Sequence, residues 1–245
     1  MSKKNMKGII LAGGNGTRLS PLTKVTSKQL LPIYDRPMIH YPLETLRRAG
    51  IVDILFIVAP DHAGDFLKYL GSGKEFNCHF SYEIQDKPQG IAQAFQIGED
   101  FLDNDNVTLI LGDNLFEDDF TQAIQSFEKG GRIFAKQVAD PERFGVVEFD
   151  EHNRAISIEE KPQHPKSNYC VTGLYIYDNT VVEKVKNIEF SDRGELEITD
   201  LNNLYLKEKT LDVAFVNGAW FDTGTFESMY AATEFARARR LANQS

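Results

Sequence analysis

Apolar positions along this chain follow two different rhythms. Through the first half, short continuous apolar runs alternate with segments of helical spacing. Gly8 to Ala12 is an apolar run that ends in glycines, and Ile54 to Ala59 and Val107 to Leu111 are apolar runs, broken only by Thr108. Runs of that kind are expected of strands covered on both faces. Between them, Ile39, Leu43 and Leu46 share one face of a helix over Met38 to Ala49, with Gly50 as its stop. Ala63 to Leu70 reads as a helix stopped at Gly71. Ile91, Ala94, Phe95, Gly98, Phe101 and Leu102 predict a helix over Ile91 to Leu102. Phe80, Tyr82 and Ile84 alternate, as in a strand with one wetter face. Repeated strand–helix units predict an α/β fold, a mainly parallel mixed sheet flanked by helices.

In the second half the strand signals crowd together: Ile133 to Val138, Val146 to Phe149, Ile156 to Glu160, Val171 to Tyr177 and Val213 to Val216. Helices are predicted over Thr180 to Asn187, Leu196 to Leu206 and Thr225 to Ala242, and one more carries Phe120, Ile124 and Phe127. This pattern predicts a smaller mixed-sheet lobe. No Pro/Gly/Ser linker divides the halves, so residues 1–245 are expected to form one domain. Its lobes span about 6–115 and about 116–225, with a C-terminal helix over 226–245. In open α/β sheets ligands bind at the carboxyl ends of parallel strands. Functional residues are therefore expected just after Ala12, Ile84 and Leu111.

Composition narrows the classes. Hydrophobic residues at 42% and charged residues at 26% exclude wholesale disorder. A formal net charge of −9 gives no basic balance for nucleic acid. No stretch free of charged residues exceeds eleven positions, whereas a membrane helix needs about 20 apolar ones. Met1 to Asn5 is polar and leads straight into an apolar run, so no secretory signal is expected and the cytoplasm is the default compartment. Cys78 and Cys170 make neither a disulfide framework nor a zinc cluster, and reduced packing thiols are expected.

The chemistry-bearing residues sit where the strands end. Leu11-Ala12-Gly13-Gly14-Asn15-Gly16-Thr17-Arg18 follows the first strand. Its glycines let a backbone approach a ligand closely, and consecutive N–H groups can form an anion nest. No Gly-Lys-Ser/Thr follows, so it is not a Walker A loop. Leu19 stands where a dinucleotide fingerprint needs its third glycine. Arg18 and Lys28, in Ser27-Lys28-Gln29-Leu30-Leu31-Pro32, are two cations that suit a polyphosphate. Asp113, after Val107 to Leu111 and expected to be exposed in the cleft, and Asp222, in Trp220-Phe221-Asp222-Thr223-Gly224-Thr225, are two carboxylates at strand ends. Mg²⁺ takes one or two carboxylates plus phosphate oxygens and water. Gln85 offers a donor and an acceptor side by side, which match a pyrimidine edge. Glu159-Glu160-Lys161-Pro162 and Arg193-Gly194-Glu195-Leu196-Glu197-Ile198-Thr199-Asp200 combine carboxylates for hydroxyls with cations for a phosphate, as a sugar phosphate requires.

Taken in order from about residue 6 to 225, these segments resemble the glucose-1-phosphate thymidylyltransferase family. The matching stretches are Gly13 to Leu19, Lys28 to Pro32, Leu111 to Asn114, Phe144-Gly145-Val146, Glu159 to Pro162, Val171-Thr172-Gly173, Gly194 to Asp200 and Trp220 to Thr225. The resemblance implies a Rossmann-like nucleotidyltransferase fold with a nucleotide-binding lobe and a sugar-phosphate lobe. It implies that Leu11, Gly13, Gly14, Gly16, Thr17, Arg18, Lys28 and Gln29 hold the nucleotide, with Gln85 and Gly90 on the thymine. Asp113 and Asp222 would carry Mg²⁺, the cofactor. Asn114, Gly145, Glu160 and Val171 would hold the glucosyl unit, and Lys161 and Arg193 its phosphate. Arg18, Lys28, Lys161 and Arg193 would be the catalytic cations. The implied partners are dTTP and glucose 1-phosphate, with no nucleic acid and no membrane, in a homo-oligomer (dimer or tetramer). The product would be dTDP-glucose, for deoxysugars such as dTDP-L-rhamnose and for surface polysaccharide.

Longer members of that family carry a further C-terminal segment, and Tyr-Gly-His where this chain has Glu117-Asp118-Asp119. Weak feedback inhibition is the expectation, with the three acids otherwise capping the helix that follows. Three rival functions remain on the residues alone. One is a uridylyltransferase of the same fold, since thymine and uracil differ by a methyl. Another is a non-catalytic nucleotide-sugar-binding regulator, and the third a dehydrogenase.

Overall fold

A computed structural model describes residues 5–14, 16–152 and 154–242. The chain begins with β1 (Met6–Ala12), a hairpin of β2 (Pro32–Ile33) and β3 (Arg36–Pro37), and α1 (His40–Arg48). It continues through β4 (Asp53–Val58), α2 (Ala63–Leu70), β5 (His79–Ile84), α3 (Gln93–Ile97), α4 (Glu99–Leu102), β6 (Asn106–Leu111), β7 (Asn114–Phe116) and α5 (Thr121–Gln125). The second half holds β8 (Gly131–Gln137), β9 (Gly145–Phe149), β10 (Ala155–Glu160), β11 (Tyr169–Tyr177), α6 (Val181–Val185), α7 (Ile198–Lys207), β12 (Leu211–Phe215), β13 (Trp220–Asp222) and α8 (Phe226–Ala242).

Among the described residues one nine-stranded sheet runs β10-β9-β11-β6-β1-β4-β5, with β8 beside β11 and β12 beside β8. The expected α/β architecture is present. Its centre is parallel, because β1 pairs with β4 and β6 and β4 pairs with β5 in the same direction. β11 turns the far side antiparallel through its pairings with β6, β8 and β9. Strands of both halves therefore share one sheet. The chain steps outward from β1 to β4 and β5, then crosses back to β6. Between β1 and β6 the winding reverses, and Leu11 lies opposite Leu111 there. The crevice beyond those two strand ends is where a ligand enters such a sheet.

The continuous apolar runs are explained by alternation across the sheet. Ile10, Phe56 and Val58 pack on one face with Leu43 and Leu46 of α1 and Phe66 of α2. Ile9, Leu55 and Ile57 pack on the other with Phe95 of α3, Val185 of α6 and Tyr205 of α7. Leu43 and Leu46 give α1 its buried face, Arg47 and Arg48 suit its C-terminal end, and Gly50 (φ +84°) turns the chain out of it. α8 lies on β2 and β13, where Ala232 is buried beside Ile33 and Leu115. Cys78 and Cys170 are both buried and unpaired. Among the described residues no helix is long and apolar enough to cross a membrane.

Several elements differ from their expected form. The helix expected over Ile91 to Leu102 is two, α3 and α4, broken at Gly98. A Cβ there would lie 3.0 Å from Leu55 Cδ2 and 3.1 Å from the Ala94 oxygen, so this turn presses directly on the sheet. α7 starts two residues later than expected. Leu196 is instead tied to another loop, its N–H donating to the Gln89 oxygen (2.8 Å) while its oxygen accepts from Ala92 (3.3 Å). β7 and β13 were not expected as strands at all; they pair antiparallel, with Asp222 opposite Asn114.

The Glu117–Asp119 run is also corrected. Asp119 does cap α5, accepting the Thr121 N–H at 2.8 Å. Glu117 and Asp118 instead accept backbone N–H groups of the distant turn before β13: Glu117 from Ala219 (2.9 Å), and Asp118 from Asn217 (2.8 Å) and Gly218 (2.6 Å). Two of the three carboxylates thus fasten the β7–β13 pair rather than the helix. Met1 to Lys4, Asn15 and Asn243 to Ser245 lie outside the described residues.

Candidate active site

The glycine-rich turn leaves the end of β1 and folds back on itself. The Gly16 oxygen accepts from the Leu19 N–H (2.9 Å) and the Thr23 hydroxyl (3.0 Å), and Thr17 to Leu19 form one short helical turn. Leu11 precedes it in the sheet, and its oxygen accepts the Gly112 N–H at 2.9 Å, so the ends of β1 and β6 are tied together. A Cβ on Gly13 would sit 2.1 Å from Gln85 Oε1, so any larger residue would displace the Gln85 carboxamide. That close approach brings Gln85, at the end of β5, against the turn. Gln85 is buried and its amide donates to Gln93 Oε1 at 2.7 Å, so the carboxamide orientation is held. Gly14 is exposed, with open space where a side chain would stand.

Lys28 and Asp113 meet across the crevice as an ion pair. Their side chains are only 11% and 13% exposed, so Asp113 is not the exposed strand-end carboxylate expected, nor Lys28 a solvated lysine. Hydrophobic strands bury everything beside them, and the pair forms because neither charge could stay there alone. The Asn114 amide also donates to Asp113 Oδ1, at 3.0 Å. Burial pushes the Asp113 carboxyl up, but the Lys28 ammonium and the Asn114 amide outweigh it and hold it below its ordinary range. Gln29 is buried, accepts from Ser27 Oγ at 2.6 Å, and packs its side chain beside Gly112 at the end of β6.

Asp222 arrives from 109 positions away along the chain through the β7–β13 pairing. Thr223 locks that arrival, donating its N–H (3.0 Å) and its hydroxyl (2.6 Å) to the Asp113 oxygen. Burial and the Asp113 charge push the Asp222 carboxyl up to about 6, against the pull of Lys28, Arg18 and Arg143. The Arg18 guanidinium lies over Gly224, where a Cβ would be 2.5 Å from its Nη2 and 3.3 Å from Asp222 Oδ1. At Asp222, burial and the Asp113 charge thus outweigh the three cations. Among the described residues no group of three or more His, Cys, Asp or Glu could hold a metal. A two-carboxylate set fits Mg²⁺, which retains water and draws its other oxygens from phosphates.

A cavity of about 510 Å³ opens beside this pair. Its wall includes Arg18, Asp113, Asn114, Gly145, Glu160, Lys161, Val171, Arg193 and Asp222, so the structure unites these predicted residues from seven separate segments. Gly13, Gly14, Lys28, Gln29, Gln85 and Gly90 are not in that wall. Gly90 (φ +99°) packs instead on the backbone of Leu196, where a Cβ would come within 2.3 Å of the oxygen. Glu160, at the end of β10, accepts from the Thr199 hydroxyl at 2.6 Å. Lys161 follows in a left-handed conformation (φ 44°), 3.6 Å from Glu160. Asn114 is more engaged than expected: its oxygen accepts from the Gly173 N–H (3.0 Å) and from Trp220 Nε1 (2.7 Å). With one amide hydrogen on Asp113, a single N–H is left for the cavity.

Thr199, Trp220, Tyr175 and Glu197 also line the cavity, and no role was read for them in the sequence. Thr199, Glu197 and Trp220 stood inside quoted motifs, but only the folded pairing shows what they touch. A second cavity of about 250 Å³, between α1 and α8, contains none of the predicted site residues.

A parallel sheet whose crevice combines a glycine-rich turn, paired cations and two carboxylates, facing a sugar-sized acidic pocket, defines the nucleotidyltransferase class. The model of the family described as Nucleotidyl transferase matches residues 7–239. A glucose-1-phosphate thymidylyltransferase of Neisseria meningitidis is 56% identical over 238 residues, which are 95% of this chain and 83% of that protein. A crystal structure titled for a glucose-1-phosphate thymidylyltransferase of Bacillus anthracis, in complex with a sucrose, superposes with a TM-score of 0.91 at 48% identity, covering 95% and 96% of the two chains. A UDP-glucose pyrophosphorylase complexed with UDP-glucose shares the fold, with a TM-score of 0.84 at 26% identity over 96% and 99% of the chains. The chain belongs to the glucose-1-phosphate thymidylyltransferase family of nucleotidyl transferases. It is an enzyme, and the regulator and dehydrogenase readings fall away.

Proposed function

We propose that this enzyme transfers a thymidylyl group from dTTP to α-D-glucose 1-phosphate, with Mg²⁺, giving dTDP-glucose and pyrophosphate. The observation that carries the reading is the union, in one cleft, of a polyphosphate-type turn beside Lys28, Asp113 and Asp222 with the Glu160–Arg193 pocket. The names of its relatives supply the base and the sugar.

The reaction joins two anions. A phosphate oxygen of glucose 1-phosphate attacks the α-phosphorus of dTTP, and the bond to the β-phosphate oxygen breaks. The attacking oxygen is already ionised at neutral pH, so the protein supplies no general base. Its work is to position both substrates and offset their charge. Arg18 and Lys28 face the triphosphate, and Arg193 and Lys161 the sugar's phosphate. Lys28 exchanges Asp113 for phosphate when the nucleotide enters. Glu160, oriented by Thr199, accepts from sugar hydroxyls beside the Gly145 and Val171 backbone. Gln85, held by Gln93, reads the pyrimidine edge. Bound between Asp113 and Asp222, Mg²⁺ would neutralise phosphate charge. The same reading carries a cytoplasmic homo-oligomer that serves dTDP-deoxysugar synthesis.

Uridylyl transfer is the second reading, supported by the shared fold of the UDP-glucose pyrophosphorylase. Pyrophosphate release across a grid of nucleoside triphosphates and sugar 1-phosphates separates the two. The proposal predicts the highest kcat/KM for dTTP with glucose 1-phosphate. A higher value for UTP would replace it.

A further inference from the structure

Arg193 stands at the tip of a tight turn with little to hold it. The turn is closed by the Gly194 N–H donating to the Ser191 oxygen (2.8 Å), the Ser191 N–H to the Glu195 oxygen (2.9 Å) and the Arg193 N–H to Ser191 Oγ (3.3 Å). Gly194 then leaves in a left-handed conformation (φ +72°). A long side chain on such a tip has many rotamers. In this structure it has one dominant partner. Glu197 Oε1 accepts from Arg193 Nη2 (2.8 Å), from Arg193 Nε (3.2 Å) and from Ser191 Oγ (2.8 Å). Glu160 at 3.4 Å and Glu195 at 3.7 Å are looser. The Glu197 side chain is 9% exposed, against 41% for Glu195.

Glu197 also stands immediately before α7, where an acidic side chain commonly caps the helix. It makes no such cap, so its carboxylate is free of that structural duty. Its backbone position is fixed from both sides. Leu196 is bonded to Gln89 and Ala92, and α7 begins at Ile198. Arg193, Glu195 and Glu197 all line the cavity that holds Glu160.

We infer that Glu197 is a positioning residue: it sets the Arg193 guanidinium toward the phosphate of the incoming sugar 1-phosphate. The inference rests on the thymidylyl-transfer reading. Two conservative changes separate position from charge. Glu197→Gln keeps an oxygen that accepts from Arg193 and Ser191 but removes the charge. Glu197→Asp keeps the charge but withdraws it by one methylene.

The test measures KM for glucose 1-phosphate and for dTTP separately, alongside melting temperature. Glu197→Asp is expected to raise KM for glucose 1-phosphate about tenfold and leave KM for dTTP unchanged, while Glu197→Gln stays within about threefold of wild type. Arg193→Ala is expected to raise the same KM by more than tenfold, and adding Glu197→Asp to it should raise it no further. A folded Glu197→Asp enzyme with unchanged KM would overturn the inference. So would a Glu197→Gln enzyme as impaired as Glu197→Asp, or additive effects in the double variant. Should Arg193→Ala itself leave KM for glucose 1-phosphate unchanged, the assignment of Arg193 to the sugar phosphate fails, and the inference falls with it. Should either Glu197 variant not fold, Ser191→Ala on the surface turn serves, expected to raise that KM about threefold. No change there would overturn the inference.

Discussion

At the Asp113 end of the cleft Lys28 pairs with Asp113 beside a second carboxylate, Asp222; at the other end Arg193 faces three carboxylates. The consequences differ because burial differs. Lys28 and Asp113 are nearly sealed, and burial beside the Asp113 charge pushes Asp222 up to about 6. An arriving cation would offset it. Arg193 is 39% exposed, so water screens its charge, while the 9%-exposed Glu197 sets its direction. It can therefore face an incoming phosphate. Equal-looking acidic clusters thus serve opposite ends: one accepts a cation, and the other presents one.

The sharpest way to break this contrast is at Asp113. Asp113→Asn should lower kcat on the order of 10²-fold or more while the protein stays folded, because an electrostatic stabiliser is lost. Near wild-type turnover at saturating Mg²⁺, with an unchanged circular dichroism spectrum, would remove Asp113 from the metal site. Base choice comes next. One methyl separates thymine from uracil and is worth about 1–3 kcal/mol, so kcat/KM should favour dTTP over UTP by tens of fold, with ATP and GTP poor. Efficient use of ATP would show that Gln85 does not read the base.

At the Arg193 end a smaller effect is expected. Thr199→Val removes the hydroxyl that orients Glu160, a bond worth about 1 kcal/mol, and KM for glucose 1-phosphate should rise about fivefold with KM for dTTP unmoved. Rising KM for both substrates would mean that Thr199 supports the whole cleft. The smallest effect is one of stability in metal-free protein. Asp222 titrates near 6 when folded, above its unfolded value near 3.8. Stability from such a group is complete at acid pH and is lost as pH rises through about 6. The melting temperature of Asp222→Asn relative to wild type should therefore climb from about pH 4 to about pH 6 and then level off. A difference independent of pH would mean that Asp222 is not held up by Asp113 and burial.

The parts that were readable in advance share a cause. β1, β4 and β6 are covered on both faces, so most of their positions are apolar, and their runs stood out. Glycines at the end of β1 marked the turn for the same local reason. What escaped depends on distant pairing. β7 and β13 are three residues each, and neither has a pattern of its own until Asn114 lies opposite Asp222. Glu117 and Asp118 looked like helix-capping acids because nothing nearby reveals the 217–219 turn they bind. Asp113 looked exposed because the lysine that covers it lies 85 positions earlier. Gly98 looked like one more small residue on a helical face, although it divides α3 from α4.

The division of the cleft into two ends, each serving one anion, is tested most directly by measuring both KM values in two variants. Lys28→Gln keeps a donor for Asp113 but loses the charge, and Arg193→Ala removes the guanidinium. Lys28→Gln should raise KM for dTTP about tenfold or more and barely change that for glucose 1-phosphate, and Arg193→Ala should do the reverse. Crossed effects, with Lys28→Gln weakening glucose 1-phosphate or Arg193→Ala weakening dTTP, would contradict it.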